Sequence, residues 1–234
     1  MTGARPTRLV AVLGTGTEVG KTWVAARLLE QLRAGGATVA ARKPAQSAEL
    51  DDPAPSDAEV LAGATGEDPL AVCPAHRRYG VAMAPPMAAA TLGRPPFTVA
   101  DLAAEVLWPD RGPESARSAP SGTTGAGQEP GVDVGLVETA GGVLSPAAAD
   151  GTSLDLARAL GPDTLLLVAD AGLGTINGVR LGLAALGPDG AAAVVVLNRY
   201  DPADPLHRAN REVLEGDGLD VVVDLAALAR RLQP

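Results

Sequence analysis

Arg8-Leu9-Val10-Ala11-Val12-Leu13, followed at once by Gly14-Thr15-Gly16-Thr17-Glu18-Val19-Gly20-Lys21-Thr22, is the stretch on which the fold turns. An apolar run of strand length enters a glycine-rich loop, and a helical pattern follows from Gly20 to Ala34, closed by the breaker pair Gly35-Gly36. A loop of this kind between a strand and a helix is built to hold phosphate. Its glycines let the backbone turn tightly and aim N–H groups at anionic oxygens, and the helix N-terminus adds a favourable dipole. In that reading Lys21 neutralises β- and γ-phosphates and the Thr22 hydroxyl ligates Mg2+. The spacing is a variant, because the position where the common motif has its first glycine holds Thr15, with Gly14 one residue earlier. The alternative is a strand–turn–helix connection without a ligand.

Composition sets the frame around this loop. A chain of 234 residues fits one α/β domain with a sizeable core. Hydrophobic residues make up 46% and aromatic residues 2%, so the core has to come from Val, Leu and Ala, which suits a parallel sheet flanked by helices. The single cysteine, Cys73, allows no intrachain disulfide and fits a reducing, cytoplasmic setting. The N-terminal apolar run reads as the first strand rather than a signal peptide, and no stretch is suited to spanning a bilayer, so no membrane partner is expected. A net charge of −9 argues against broad nucleic-acid binding.

Further along, Thr38–Arg42 reads as a second strand, ended by the loop at Pro44. Ser56 caps a short helix to about Ala62, with Glu59 placed for a capping box. Pro85–Leu92 and Thr98–Leu107 read as helices. Residues 109–131 are rich in turn formers and small polar residues, which predicts a flexible surface insertion within one domain spanning 1–234. Apolar runs at Val132–Val137, Thr164–Ala169 and Ala192–Leu197 then alternate with helical segments at Leu154–Leu160, Ile176–Leu186 and Leu206–Leu214. Such alternation predicts right-handed crossovers and a doubly wound, mostly parallel sheet with helices on both faces. Leu219–Val223 and Leu225–Leu232 add a last strand and helix.

Ligands of a doubly wound sheet sit beyond the carboxyl ends of its strands, and two further strand ends carry polar residues. Lys43 follows the second strand in Arg42-Lys43-Pro44-Ala45-Gln46-Ser47; alone it reads as a solvated lysine at a loop entry. Glu138 ends a strand in Val137-Glu138-Thr139-Ala140-Gly141-Gly142 and reads equally as a metal-holding carboxylate or an exposed turn residue. Asp57, in Ser56-Asp57-Ala58, reads as readily as a helix-start acid.

Taken together and in order, these segments resemble the dethiobiotin synthetase family. That family carries T-G-T-x-T-E-V-G-K-T at the first loop, K-P-x-x-S after the second strand, S-D-A before the next helix and V-E-G-A-G-G after a later strand. Here Gly14–Thr22, Lys43–Ser47, Ser56–Ala58 and Val137–Gly142 stand in those places. Ala171-Gly172-Leu173-Gly174-Thr175-Ile176-Asn177 is similar to the family's Leu-Gly-x-Ile-Asn segment, and Asn198 sits like its base-recognising asparagine. The resemblance runs from about Leu9 to Asn210, interrupted at the insertion. Three departures stand out: Leu13 in place of a threonine, Thr139 in place of a glycine, and a C-terminus without the Gly-x-x-Pro segment that completes the base pocket.

The resemblance implies a P-loop NTPase fold and a Mg2+- and ATP-dependent ligase that makes dethiobiotin from 7,8-diaminononanoate and CO2 or bicarbonate, through a carbamate and a carbamic-phosphoric anhydride. It implies Lys21, Lys43, Thr17 and Ser47 as catalytic residues and Thr22, Asp57 and Glu138 as Mg2+ ligands. Glu18, Val19, Gly20, Lys21, Thr22 and Trp23 would hold phosphates, with Thr139, Ala140, Gly141, Asn198 and Arg199 completing the nucleotide site. Ser47, Gly141 and Gly142 would meet the diamine, whose carboxylate tail would reach Thr175 and Asn177 of a second subunit, implying a homodimer. Two rivals are weaker. A partitioning-type ATPase switch needs a signature lysine where this chain has Gly16, and a cobyrinate-type amidotransferase needs a glutaminase domain for which the chain is too short. Cys73, His76 and His207 show no partners at catalytic or metal spacing.

Overall fold

The computed structural model describes residues 4–49, 53–110 and 131–234, so most of the expected insertion, 111–130, lies outside the described residues. The chain runs β1 (Arg8–Gly14), α1 (Lys21–Ala34), β2 (Val39–Arg42), β3 (Gln46–Ser47), α2 (Asp57–Thr65), α3 (Pro69–Val72), β4 (Arg78–Tyr79), α4 (Pro85–Thr91) and α5 (Val99–Glu105). It continues with β5 (Val134–Glu138), β6 (Pro146–Ala148), β7 (Gly151–Thr152), α6 (Ser153–Leu160), β8 (Thr164–Asp170), α7 (Thr175–Leu186), β9 (Val194–Asn198), α8 (Pro205–Gly216), β10 (Asp220–Val222) and α9 (Leu225–Leu232).

Six strands form one sheet in the order β10-β9-β8-β1-β5-β2, every neighbouring pair parallel. Alternation along the strands splits the core. Val10, Val12, Leu166, Val168, Val194 and Val196 face α1, α2 and α9, while Ala11, Leu13, Leu167, Ala169, Val195 and Leu197 face α6, α7 and α8. Both faces are therefore covered, and aliphatic side chains suffice because each buried Leu or Val contributes about 1.5–3 kcal/mol whatever its shape.

The sheet order decides where the site lies. Strand β5 enters between β1 and β2, with Glu138 level with Val12 of β1 and Val137 level with Arg42 of β2. The loop after β1, the residue after β2 and the last residue of β5 thus converge at one carboxyl edge although they come from segments far apart in sequence. The expected elements are present with small changes in length: the helix capped by Ser56 continues to Thr65, and the last strand shortens to Asp220–Val222. The two-residue parallel pair β3–β4 and the β6–β7 hairpin were not expected. Both pack around a small third cluster with Tyr79, Phe97 and Leu102 beside the site.

Candidate active site

Helix α1 starts without a side-chain cap, from Gly20 in a left-handed conformation (φ 90°). Its first N–H groups are thus left for a ligand in the loop. Gly20 has a second constraint, since a Cβ there would lie 2.0 Å from Asn198 Nδ2. Lys21 folds back and donates to the Gly16 carbonyl at 3.0 Å. Helix α2 starts at Asp57 because the Ser56–Glu59 capping box forms as its sequence predicts. Gln46 Oε1 accepts the Ala58 N–H at 3.0 Å, tying the start of α2 to β3.

Lys43, Asp57, Glu138 and Thr22 meet in one network. Lys43 Nζ lies 2.5 Å from Glu138 Oε1 and 2.8 Å from Asp57 Oδ2, and donates to the Thr139 carbonyl at 3.4 Å. The Thr22 hydroxyl lies 2.8 Å from Asp57 Oδ1 and 2.9 Å from Glu138 Oε1. Glu138 is 1% exposed and Lys43 3%. Lys43 is thus not the solvated lysine that its position alone suggests, and of the two readings left open for Glu138 the exposed turn residue is ruled out.

Burial governs the charges. Burial first, then the neighbouring Lys43 ammonium, pulls Lys21 down to about 8. Burial also works against the Lys43 ammonium, but Glu138 and Asp57 outweigh it and hold Lys43 above its ordinary value. Burial would raise Asp57, yet the contact with Lys43 holds its carboxyl below the usual range. For Glu138 burial dominates and pushes the carboxyl up, against the pull of Lys43.

The donor set suits a hard divalent cation. Glu138 Oε2 is buried with no hydrogen-bond partner among the described residues, and a buried, unpaired carboxylate oxygen costs free energy unless something binds it. With Asp57 and the Thr22 hydroxyl it offers oxygen ligands of the kind Mg2+ prefers. No group of three His, Cys, Asp or Glu side chains is arranged to hold a metal among the described residues; the oxygens gathered here are two carboxylates and the Thr22 hydroxyl.

A cavity of about 790 Å³ opens over this network. Thr17, Glu18, Gly20, Lys21, Thr22, Trp23, Lys43, Ser47, Asp57, Glu138, Ala140, Gly141 and Arg199 line it. Its far wall, which the sequence reading missed, is Met83, Ala84, Pro85, Ser145 and Pro146. These residues carry no local signal, because β3–β4 and the β6–β7 hairpin bring them in. Ser47 donates its hydroxyl hydrogen to the Met83 carbonyl, so its oxygen still has lone pairs to offer.

Several other expected site residues, Arg199 apart, lie outside the cavity lining. Thr139 is buried behind the cavity, its N–H and hydroxyl both donating to the Val12 carbonyl at 3.1 and 3.2 Å. Asn198 is buried and donates to the Val19 carbonyl at 2.9 Å. Arg199, at φ 58°, donates to the Glu18 carbonyl at 3.1 Å and pairs with Asp170 at 2.7 Å. Thr175 and Asn177, on the first turn of α7, and Gly142 do not line the cavity. The Thr175 hydroxyl is buried without a partner among the described residues, Asn177 is exposed, and Leu173 just before them is 94% exposed.

A family model described as an AAA domain matches residues 8–228. The ATP-dependent dethiobiotin synthetase BioD of Anaeromyxobacter dehalogenans is 42% identical over 196 residues, covering 82% of this chain and 77% of the relative. That of Caulobacter vibrioides is 38% identical, covering 82% and 81%. That of Rhodococcus jostii is 36% identical over 231 residues, covering 96% and 88%.

Proposed function

The chain belongs to the ATP-dependent dethiobiotin synthetase family, an ATP-dependent ligase of biotin biosynthesis, and from that premise we propose how its residues share the work. The carrying observation is that Lys21, Thr22, Lys43, Asp57 and Glu138 border one cavity.

The reaction joins an anionic carbamate to an anionic terminal phosphate, so cations held in advance have to offset the repulsion. Lys21, with the N–H groups from Glu18 to Trp23, holds the β- and γ-phosphates. Lys43 faces the transferred phosphoryl group from the opposite side. Thr22, Asp57 and Glu138 hold Mg2+, which when bound screens the phosphate charge. Thr17 orients the carbamate, and the Ser47 oxygen accepts from the substrate amine because its own hydrogen is spent on Met83. Gly141 lets the backbone come close to the diamine, whose hydrocarbon chain lies along the Met83–Pro85 and Pro146 wall. That wall also keeps water from the hydrolysable carbamic-phosphoric anhydride.

Asn198 and Arg199 close the base side of the nucleotide site; Ala140 borders the phosphates, and Thr139 supports them from behind. The carboxylate tail of 7,8-diaminononanoate reaches Thr175 and Asn177 of a second copy of the chain. Support for this homodimer comes from their position at a helix N-terminus outside the cavity of their own chain, next to the exposed Leu173. The single cysteine of the chain, Cys73, buried as a free thiol, supports a reducing, cytoplasmic setting.

Phosphate release tests the whole reading. The ligase should release phosphate from ATP only when both the diamine and bicarbonate are present. Equal release without the diamine would favour a nucleotide switch and sink the ligase roles given to Lys43 and Ser47.

A further inference from the structure

Lys43 is assigned above to the transferred phosphoryl group, yet its ammonium has nothing left to give. An ammonium has three hydrogens, and three acceptors surround this one: Glu138 Oε1 at 2.5 Å, Asp57 Oδ2 at 2.8 Å and the Thr139 carbonyl at 3.4 Å. Two of those acceptors belong to the carboxylates that would hold the metal. Thr22, the third metal residue, is also committed, with one hydroxyl hydrogen between Asp57 and Glu138.

We propose that in the metal-free protein the Lys43 ammonium fills the place of the metal, so that Mg2+ and Lys43 compete for the Glu138 and Asp57 carboxylates and metal entry frees Lys43 for the phosphate. This rests on the reading of Thr22, Asp57 and Glu138 as metal ligands. The physical ground is burial. Glu138 is almost fully enclosed, and an unpaired carboxylate there costs several kcal/mol. A cation beside it offsets that cost, and in the metal-free protein Lys43 is the one present. A divalent ion and an ammonium sharing the same carboxylate oxygen repel each other, so the stronger cation displaces the weaker.

The displaced lysine keeps one anchor. The Thr139 carbonyl is held in place because the N–H and the hydroxyl of Thr139 both bind Val12. Lys43 can turn about that contact rather than swing into solvent. Arrival of metal with its triphosphate and arming of Lys43 thereby become one event, and metal-free ATP meets a lysine that is still paired.

Lys21 and Lys43 are the only lysines in the chain, which makes the test direct. Protein labelled with 15N at lysine Nζ gives two side-chain signals, assigned with Lys21→Met. With a non-hydrolysable ATP analogue in excess chelator, the Lys43 signal should keep its position in the free protein, and it should move when Mg2+ is added. A signal that Mg2+ leaves in place would overturn the proposal.

Binding of Mn2+ without nucleotide, read by electron paramagnetic resonance, supplies the second arm. Lys43→Met should bind Mn2+ roughly tenfold or more tightly than the parent chain, since a competing cation is gone, and Glu138→Gln should cancel that gain. Equal or weaker binding by Lys43→Met, still sensitive to Glu138→Gln, overturns the competition and leaves the metal site standing. Binding that ignores Glu138→Gln in both backgrounds overturns the metal site itself.

Discussion

Asn198 Nδ2 donates to the Val19 carbonyl at 2.9 Å and ties the end of β9 to the phosphate loop 179 positions away. The same amide blocks Gly20, where a Cβ would come within 2.0 Å of it. Gly20→Ala therefore carries two costs, a left-handed backbone worth about 1–2 kcal/mol and a steric clash. Affinity for a non-hydrolysable ATP analogue, measured calorimetrically, should fall by roughly tenfold or more. Adding Asn198→Ala relieves the clash alone, so the double variant should regain part of what Gly20→Ala loses relative to Asn198→Ala. Unchanged affinity in Gly20→Ala would mean that the loop has another conformation available.

The two lysines should separate binding from chemistry. Lys43→Ala is expected to abolish diamine-dependent phosphate release while largely keeping nucleotide affinity, because Lys43 lies outside the phosphate loop. Lys21→Ala should impair both, because Lys21 lies in the loop that cradles the phosphates. Calorimetric titration beside a phosphate-release assay separates the two outcomes. Full turnover by Lys43→Ala would remove that residue from the mechanism.

The loop and both faces of the sheet were legible because their signals are local: an apolar run, a glycine-rich turn, a helical period. The Ser56–Glu59 box was legible for the same reason. The roles of Lys43 and Glu138 were not legible from their own surroundings, because nothing near either residue states that β5 inserts between β1 and β2. That is a property of sheet order, and only likeness to a family carried it. Glu67 is the clearest omission. It follows α2 without any motif, and its meaning depends wholly on Arg42 being next to it in space. The two-residue strands β3 and β4 are too short for any periodicity, so the apolar wall they help to position was invisible.

Cys73 should be inert in the folded chain. Its side chain is buried, and burial pushes the thiol up to about 11. The thiolate is the reactive form, so at pH 8 the folded protein holds a protonated, shielded thiol, while unfolding both exposes it and lowers its pKa. The sign follows: stability declines as pH rises through the interval between 9.0, the ordinary value, and about 11. Labelling by a thiol-specific disulfide reagent at pH 8 should be slow in buffer and rapid in denaturant. Prompt stoichiometric labelling of native protein would show that the thiol is accessible after all.

The buried pair of Arg42 and Glu67 should matter to stability more than its place outside the cavity suggests. Arg42 Nη1 lies 2.7 Å from Glu67 Oε1, with side chains 8% and 15% exposed. The other Glu67 oxygen accepts the Ala41 N–H at 2.8 Å, so one carboxylate serves both a buried guanidinium and the outer edge of β2. Arg42 is further held over the Trp108 ring, 5.1 Å from its centroid, and cannot easily turn to water. Replacing such a pair with apolar residues can be neutral, but removing Glu67 leaves the buried Arg42 charge with only the Leu107 and Ala41 carbonyls as acceptors and costs about 3 kcal/mol. Glu67→Ala should therefore lower the urea midpoint by that amount divided by the slope, with the slope itself unchanged. Glu67→Gln keeps one acceptor for either partner and should fall between. Because Lys43 directly follows Arg42, loosening this end of β2 should also lower kcat before it raises the KM for ATP. A midpoint equal to that of the parent chain in Glu67→Ala would show that Arg42 finds solvent where the packing says it should not.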